Sequence, residues 1–334
     1  MSSVADLSSD LSSDPASDPP SALSLAVADD SFAEVVDGLC AANEDLLRGR
    51  RRQRGRHALP SQAAMAALVD DLRAAMFPGH LGATDLAPAS IRSYVGAQLD
   101  KLRVALTEQV RRGLALDCNH DVITAAGECA ACDQRAVEAT KVLIGRLPEI
   151  RRTLETDLKA AYACDPAARF LDETLYCYPG VLAITHHRIA HELHKLSIPL
   201  IPRIVSELGH AATGIDIHPG AQIGPSFFID HGTGVVIGET CRIGARVRLY
   251  QGVTLGARGF STDPHGFLVK GLPRHPIIGD DVVIYAGATI LGRVTVGEGA
   301  EIGGNVWLTR DVPANARVTQ ARVQHNVVEE GAGS

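Results

Sequence analysis

A six-residue period governs the C-terminal third of the chain. Aliphatic residues recur at every sixth position from Ile217, the period continues after an eight-residue step at Ile237, and it resumes at Ile278 after an interruption. Neither the 3.6-residue period of a helix nor the two-residue period of an isolated strand accounts for this spacing. It is typical of a hexapeptide solenoid, a parallel β-helix with three short faces per coil. The aliphatic positions are Ile217, Ile223, Ile229, Ile237, Ile243, Leu249, Leu255, Ile278, Ile284, Ile290, Val296, Ile302 and Leu308.

The composition agrees with this architecture. Aromatic residues make up only 4% of the 334 residues, and most of the 32 glycines lie after position 213. The corner of each six-residue repeat needs small residues, and the stacked aliphatic side chains in the core leave little room for aromatic rings. We therefore predict the solenoid over residues 214–313, followed by a C-terminal segment over 314–334. Residues 257–276 keep no six-residue register, so they are predicted to leave the solenoid as a long loop, a usual place for function.

The region before the solenoid is predicted to be helical. Over residues 60–213, aliphatic side chains repeat at spacings of three and four, and prolines such as Pro148 punctuate the pattern. Residues 1–30 are rich in Ser, Asp, Pro and Ala, a composition that predicts a disordered tail. Residues 31–59 are predicted to form an Arg-rich linker or helix. The expected fold class is therefore a multidomain α+β chain, with an all-α domain followed by a parallel β-helix.

Several protein classes are excluded by composition and charge. The chain has no run of 18 apolar residues, and its acidic N-terminus does not resemble a signal peptide. Its seven cysteines without an export signal favour a reducing cytoplasm. The net charge of −7 gives no pull toward nucleic acid, and the arginine cluster over 48–56 contains no aromatic residue that could stack on bases. We expect a cytoplasmic protein that binds neither membrane nor nucleic acid.

Several motifs together resemble the serine O-acetyltransferases, hexapeptide-repeat acyltransferases of bacterial cysteine biosynthesis. The likeness covers most of residues 60–320 and favours the branch with a long N-terminal helical region. It implies a left-handed coil, acetyl-CoA as acyl donor, L-serine as acceptor, and a homo-oligomer, either a trimer or a dimer of trimers. The motifs are FPGHLG (77–82), DPAA (165–168), YPGVLAITHHRIAH (178–191), DIHPGAQIG (216–224), IDHGTGVVIGET (229–240), QGVTLG (251–256), RHP (274–276) and IGDDVVIYAGATILG (278–292).

The resemblance assigns the catalytic base to His231. Acetyl transfer to a hydroxyl needs a base for the alcohol proton, and histidine, with an ordinary pKa near 6.5, suits this task. His231 follows Ile229 and Asp230 at a position near a corner of the coil, where no core-facing residue is needed. Asp216 lies fifteen residues earlier, close to one coil away. By resemblance it is the carboxylate that orients and stabilises the imidazole.

An amino-acid substrate needs a carboxylate for its ammonium group and a cation for its carboxylate. The resemblance assigns Asp165 and Asp230 to the first task, and Arg274 and His275 to the second. From sequence alone, Asp165 before Pro166 is typical of a helix N-cap.

Small residues along the solenoid would let coenzyme A approach the backbone. The resemblance assigns this contact to Ala257, Ala286, Gly303 and Gly304, although turns of a hexapeptide coil need small residues in any case. Arg258 departs from the family pattern, which has a small or hydroxyl-bearing residue there. No metal is required by this chemistry.

Two further sets of residues have spacings that can bind metal. The first set is Cys118, His120, Cys129 and Cys132. It could hold zinc tetrahedrally, but its spacing matches no standard finger, so metal-free thiols in a loop are favoured.

The second set is His186, His187, His191 and His194. It lacks the Glu of an HExxH motif and is interpreted as structural histidines packed against the solenoid.

Three other functions remain open at this point. One is an acetyltransferase acting on a sugar, homoserine or another small alcohol or amine. The second is a γ-type carbonic anhydrase, although the solenoid contains no H-x₄-H pair, and the third is a non-catalytic assembly protein. Many members of the resembled family dock onto O-acetylserine sulfhydrylase through a terminal isoleucine. This chain ends in VVEEGAGS, so weak or absent docking is expected.

Overall fold

A computed structural model describes residues 32–51, 58–118 and 129–320. The predicted N-terminal tail, part of the arginine cluster, His120 and the end of the C-terminal segment lie outside these residues. The helices are α1 (Ala33–Arg51), α2 (Gln62–Met76), α3 (Ile91–Leu114), α4 (Ala130–Cys164), α5 (Leu171–Cys177), α6 (Pro179–Lys195) and α7 (Ile201–Thr213).

The chain divides into two compact units, residues 1–53 and residues 54–334. Helix α1 belongs to the first unit. The helices from α2 onward and the solenoid belong together in the second, and their apolar residues form one continuous core. None of the described helices is long and apolar enough to cross a membrane.

Helix α4 differs from the sequence prediction at Pro148. The pattern on either side of this proline suggests two helical stretches, yet the structure has one continuous helix with Pro148 inside it. Buried side chains continue through the proline, with Leu143 and Leu147 on one side and Ile150 and Leu154 on the other. Packing of this apolar face outweighs the loss of one backbone hydrogen bond, which proline imposes inside a helix.

The period changes from helical to solenoid at Gly214, as the sequence indicates. Gly214 has a left-handed φ of 69° and caps α7 by donating its N–H to the carbonyl of His210. The strands that follow are β1 (Asp216–Ile217), β2 (Gln222–Ile223), β3 (Phe228–Ile229), β4 (Val236–Ile237), β5 (Arg242–Ile243), β6 (Arg248–Leu249), β7 (Thr254–Gly256), β8 (Ile277–Ile278), β9 (Val283–Ile284), β10 (Thr289–Leu291), β11 (Thr295–Val296), β12 (Glu301–Ile302), β13 (Trp307–Leu308) and β14 (Arg317–Val318).

These strands form a three-sided prism, which confirms the predicted left-handed parallel β-helix. The first face is β1-β4-β7-β10-β13, the second is β2-β5-β8-β11, and the third is β3-β6-β9-β12-β14, with parallel pairing throughout. The aliphatic positions of the six-residue period are buried, apart from the half-buried Ile223. Residues 257–276 leave the prism between β7 and β8, as expected from their broken register.

Two edges of the prism matter for function. We call the turns over residues 230–235, 250–253, 285–288 and 303–306, which lead from the third face to the first, the 3–1 corner. We call the turns over residues 218–221, 238–241 and 292–294, together with the loop 257–276, the 1–2 corner. Both are defined by the strands that they connect.

Stacked glycines line the 3–1 corner. Gly234, Gly252 and Gly287 have left-handed φ values of 79°, 70° and 71°. Gly252 and Gly287 donate their N–H groups to the carbonyls of Thr233 and Gln251 in the preceding coil, over 2.9 Å each. A Cβ added at Gly252 would lie 3.5 Å from the Cα of Gly287. This edge therefore combines stacked glycines with the stacked rings of Tyr250 and Tyr285, whose centroids lie 5.3 Å apart.

A buried ion pair fixes the first coil against the helices. The Arg188 guanidinium on α6 donates to both carboxylate oxygens of Asp157 on α4, over 2.7 and 2.9 Å. Arg188 also donates to the carbonyls of Ile223 and Gly224, while Asp157 accepts the N–H of Phe227. Burial raises the pKa of Asp157, and the Arg188 charge opposes that shift. The pair therefore links two helices to the coil that carries Asp230 and His231.

Candidate active site

Asp165 ends helix α4 rather than beginning a helix. It occupies the C-cap, and its carboxylate accepts the backbone N–H of Ala167 over 2.8 Å. The N-cap interpretation of Asp165-Pro166 is therefore wrong, because the aspartate closes a turn after the long helix. The hydroxyl of Tyr178 donates to the second carboxylate oxygen. Tyr178, Ala167 and the nearby His231 together hold the pKa of Asp165 below its usual range.

Asp230 and His231 occupy the first turn of the 3–1 corner, immediately after β3. His231 has a left-handed φ of 57°, and its Nδ1 lies 3.8 Å from an Asp230 carboxylate oxygen. The Asp230 side chain is 20% exposed, whereas that of His231 is 73% exposed. The imidazole is thus presented to solvent from a tightly constrained turn, with a carboxylate beside it.

The start of helix α6 supports this turn at close range. A Cβ at Gly180 would lie only 2.2 Å from the carbonyl oxygen of Ile229, so only glycine fits there. Pro179 occupies the first turn of α6, where its missing N–H costs nothing. The Tyr178-Pro179-Gly180 motif therefore has three local roles, a hydroxyl for Asp165, a helix start, and a close contact with the strand before His231.

Asp216 is placed differently from the sequence expectation. It lies at the start of β1, opposite Val236 on β4, and its carboxylate is within 4.8 Å of ligand atoms of Glu207 and His210 on α7. Among the residues that the structure describes, no hydrogen bond or ion pair joins Asp216 to His231. Asp216 pairs across 20 residues instead of 18, because the turn that carries His231 lengthens the first coil.

Arg274 and His275 lie at the 1–2 corner, on a different edge from His231. Arg274 is held by a 2.7 Å ion pair with Glu239, and the Nδ1 of His275 accepts the N–H of Thr240 over 3.0 Å. Burial, with a contribution from the Arg274 charge, lowers the pKa of His275 to about 4. A Cβ at Gly238 would lie 2.0 Å from the His275 ring, so this approach also requires glycine. His275 is therefore a neutral, firmly packed imidazole.

The predicted coenzyme positions divide between the same two corners. Ala286, Gly303 and Gly304 lie at the 3–1 corner, where the carbonyl of Ala286 accepts the N–H of Asn305 over 2.8 Å. Ala257 begins the loop at the 1–2 corner. The structure therefore brings Asp165, Asp230 and His231 together on one side, and Arg274 and His275 on the other.

Sequence reasoning missed several residues of the two corners. Tyr178 contacts a predicted substrate residue directly, and Glu239 orients Arg274. Thr240 uses its hydroxyl to accept the N–H groups of Arg274 and His275 over 2.9 and 3.1 Å, and Arg293 donates to the carbonyl of His275. Tyr178, Glu239 and Thr240 lie within the motifs that carry the family resemblance, which was the available signal.

His186 and His187 of α6 are buried and His191 is half-buried, as expected for packing, whereas His194 is exposed. His187 is 2% exposed, and its ring lies 5.6 Å from that of His191. A ring nitrogen of His191 donates to the carbonyl of Pro219 over 2.8 Å, which attaches α6 to the first coil.

The prism of six-residue coils places this chain among the hexapeptide-repeat proteins. A family profile described as bacterial transferase hexapeptide (six repeats) matches residues 275–310. The chain is 50% identical over 299 residues to the "Serine acetyltransferase, plasmid" of Synechococcus elongatus, covering 90% of this chain and 93% of that protein. It is 49% identical over 162 residues to the serine acetyltransferase of Bacillus subtilis, covering 48% and 70% of the two chains. The chain belongs to the serine acetyltransferase family.

Solved structures agree with this assignment. Serine acetyltransferase isoform 3 of Entamoeba histolytica, crystallised with cysteine, superposes with a TM-score of 0.66 at 33% identity, covering 79% of this chain and 84% of that one. Serine acetyltransferase 1 of the same organism, in complex with L-cysteine, gives a TM-score of 0.65 at 40% identity, with 75% and 86% covered.

Proposed function

We propose that this protein transfers the acetyl group of acetyl-CoA to the hydroxyl of L-serine, giving O-acetyl-L-serine and CoA, the first step of cysteine biosynthesis from serine. The observation that carries this proposal is that Asp165, at the end of α4, lies close enough to the Asp230-His231 turn for the His231 charge to lower the pKa of its carboxyl. Two carboxylates suit an ammonium group, and an exposed imidazole beside them suits a neighbouring hydroxyl.

His231 acts as the general base. It removes the proton from the serine hydroxyl while the oxygen attacks the thioester carbonyl. When the tetrahedral intermediate collapses, the carbon–sulfur bond breaks and the imidazolium returns its proton to the departing thiolate. Fixing the histidine in a turn with left-handed backbone limits the motion needed to reach that geometry.

Asp216 is proposed as the residue that orients His231. Both residues flank the passage from the third face to the first, and catalytic hydrogen bonds often shorten only when substrate is bound. Asp230 is the nearer carboxylate, and we assign it with Asp165 to the substrate ammonium group. The two assignments predict different kinetic consequences, which are given in the Discussion.

Arg274 and His275 are proposed to bind the serine carboxylate. Arg274 supplies the charge, and the neutral His275 can donate through Nε2, because its Nδ1 accepts the N–H of Thr240. These residues occupy a different prism edge from His231. A substrate that needs both edges fits where the 3–1 corner of one subunit faces the 1–2 corner of another, as the family resemblance implies. We therefore propose a homo-oligomer, a trimer or a dimer of trimers.

Coenzyme A is proposed to lie along the 3–1 corner. Ala286, Gly303 and Gly304 carry no side chain beyond Cβ, so an extended chain can approach their peptide groups. Ala257 would make the corresponding contact from the facing 1–2 corner. No step of this reaction calls on a metal ion. The chain segment that bears on sulfhydrylase docking, residues 321–334, lies outside the described residues, and weak or absent docking stays our expectation.

The test is a thiol-release assay with acetyl-CoA and a panel of L-serine, L-homoserine and a simple sugar. We expect L-serine to be preferred, and His231→Ala to lower kcat by about a hundredfold or more. His265→Ala is the matched control, since His265 is an exposed residue of the loop and should leave kcat within twofold. Undiminished turnover in His231→Ala, or preference for a sugar, would contradict the proposal.

A further inference from the structure

Three cysteine side chains meet at the passage from α3 to α4. Cys118 follows the short 3-10 helix Ala115–Asp117 at the end of α3. Cys129 is the N-cap of α4, and Cys132 lies one turn further along that helix. Their sulfur atoms all lie within 4.8 Å of one another, although ten residues separate Cys118 from Cys129 in the chain.

Two cysteines of the cluster are buried and the third, Cys118, is half-buried. Cys129 is 3% exposed, Cys132 is 8% exposed, and none of the three cysteines forms a disulfide. The backbone N–H groups of Cys132 and Ala131 donate to the Cys129 sulfur.

We propose that Cys118, Cys129 and Cys132 bind one zinc ion that fastens the end of α3 to the start of α4. Zinc prefers tetrahedral sites with bonds to sulfur of about 2.3 Å, which place two sulfurs about 3.8 Å apart. The observed sulfurs need to close by no more than about 1 Å to reach that spacing. The proposal rests on these three sulfurs, because His120, the fourth residue of the sequence pattern, lies outside the described residues.

This differs from the sequence interpretation of metal-free thiols. That interpretation relied on spacing alone, which matches no standard finger. Spacings of standard fingers come from short turns, whereas here the ligands come from the ends of two long packed helices. Helices α3 and α4 pack against each other, and Leu106 on α3 and Leu143 on α4 are both fully buried. The three ligands therefore lie at the adjoining ends of two packed helices.

The proposed zinc is structural and remote from acyl transfer. It lies at the first turn of α4, whereas Asp165 closes the other end of the same helix. A helix of 35 residues is roughly 52 Å long at about 1.5 Å per residue. Removing the metal should therefore loosen the helical region without changing the chemistry at the prism.

The experiment measures metal content and stability of the full-length protein. Protein produced with added zinc and dialysed is analysed by mass spectrometry for metals, as are Cys129→Ser, Cys132→Ser and the matched control Cys177→Ser, which alters an exposed cysteine of α5. We expect about one zinc per chain in the unaltered protein and the control, and less than about one tenth in the other two. Replacement by Co(II) should give the visible bands of tetrahedral cobalt with thiolate-to-cobalt charge transfer.

Chelation of the unaltered protein keeps the test independent of whether the variants fold. Removing zinc should lower Tm, adding zinc should restore it, and kcat at 25 °C should stay within twofold. Four results would each overturn the metal assignment. They are less than one tenth of a zinc per chain in the unaltered protein, equal zinc in Cys129→Ser, a Cys129–Cys132 disulfide in the isolated protein, and iron–sulfur absorbance. Loss of kcat on chelation, reversed by zinc, would overturn the structural role.

Discussion

The hydroxyl of Tyr178 donates a hydrogen bond to the carboxylate of Asp165, which joins the end of helix α4 to the start of helix α6. Two residues further on, Gly180 lies against the carbonyl of Ile229, just before the turn of His231. One short motif therefore sets the position of a carboxylate from the helical region relative to an imidazole on the prism.

Tyr178→Phe removes the hydroxyl that holds the Asp165 carboxylate. A hydrogen bond to a charged group contributes about 1.5–3 kcal/mol. We expect the KM for L-serine to rise about tenfold, while the KM for acetyl-CoA stays within twofold. Steady-state kinetics with each substrate varied in turn provide the measurement. Tyr176→Phe is the matched control, because Tyr176 contacts the carbonyl of His80 instead. An equal rise in both KM values would show that Tyr178 serves general packing only.

Asp216→Asn and Asp230→Asn separate the two proposed carboxylate roles. If Asp216 orients His231, its amide variant should lower kcat about a hundredfold with little change in the serine KM. If Asp230 binds the ammonium group, its amide variant should mainly raise the serine KM. Full kinetic profiles from pH 6 to 9 distinguish the cases. The opposite pattern would assign the orienting role to Asp230, the carboxylate nearer to His231.

Gly180→Ala tests the close contact beneath the His231 turn. The new Cβ would lie 2.2 Å from the Ile229 carbonyl oxygen, so either α6 or β3 must shift. We expect the free energy of unfolding to fall by about 2 kcal/mol and kcat to fall at least tenfold. Gly145→Ala in α4 is the control, because nothing lies within 4 Å of its added Cβ. For Gly145→Ala we expect the free energy of unfolding to rise by about 0.5–1 kcal/mol and kcat to stay unchanged. Similar behaviour of the two variants would refute the contact argument.

His275 predicts an acid-sensitive contribution to stability. Its pKa is about 4 in the folded protein against an ordinary 6.5, so the unfolded chain binds more protons between these values. The stabilisation is complete above pH 6.5 and is lost as the pH falls toward 4. Because the imidazole is buried, we expect the free energy of unfolding to fall by about 2 kcal/mol from pH 7 to pH 5 through this group.

Urea unfolding at pH 7 and pH 5 provides the measurement. His275→Gln should reduce the difference in unfolding free energy between the two pH values, whereas His265→Gln, at an exposed position, should leave that difference unchanged. A pH dependence identical to that of the unaltered protein in His275→Gln would contradict the assignment.

Arg188→Ala tests the ion pair that links the helices to the first coil. Its loss leaves the Asp157 carboxylate buried without a counter-charge, which costs about 3–5 kcal/mol. Arg203→Ala removes an exposed pair with Glu207 and should cost less than about 1 kcal/mol. Denaturant unfolding followed by circular dichroism compares them. If both variants lose the same small amount of unfolding free energy, water already solvates the Asp157 carboxylate when Arg188 is absent.

The prism could be predicted because its information is local. Each coil repeats the same six-residue rule, so Ile237 and Ile290 can be placed without knowing the rest of the chain. Asp165 could not be placed this way, since its partner Tyr178 is fixed by the packing of α4 against α6. Pro148 was misleading for a similar reason, because buried neighbours on both sides outweigh its local preference. The placement of His231 and Arg274 on two different edges could be known only from the structure, because it depends on which turn of the prism each residue occupies.

The stacked turns of the 3–1 corner also set a length scale. Adjacent coils lie about 4.8 Å apart, so the His231 turn and the Gly304 turn, three coils further along, are separated by roughly 14 Å. With coenzyme A bound along this corner as proposed above, that distance would separate the reacting end of the acyl carrier from the part that anchors it. Deleting one whole coil between them should shorten the carrier that the protein accepts by one such step, while leaving the His231 turn itself intact.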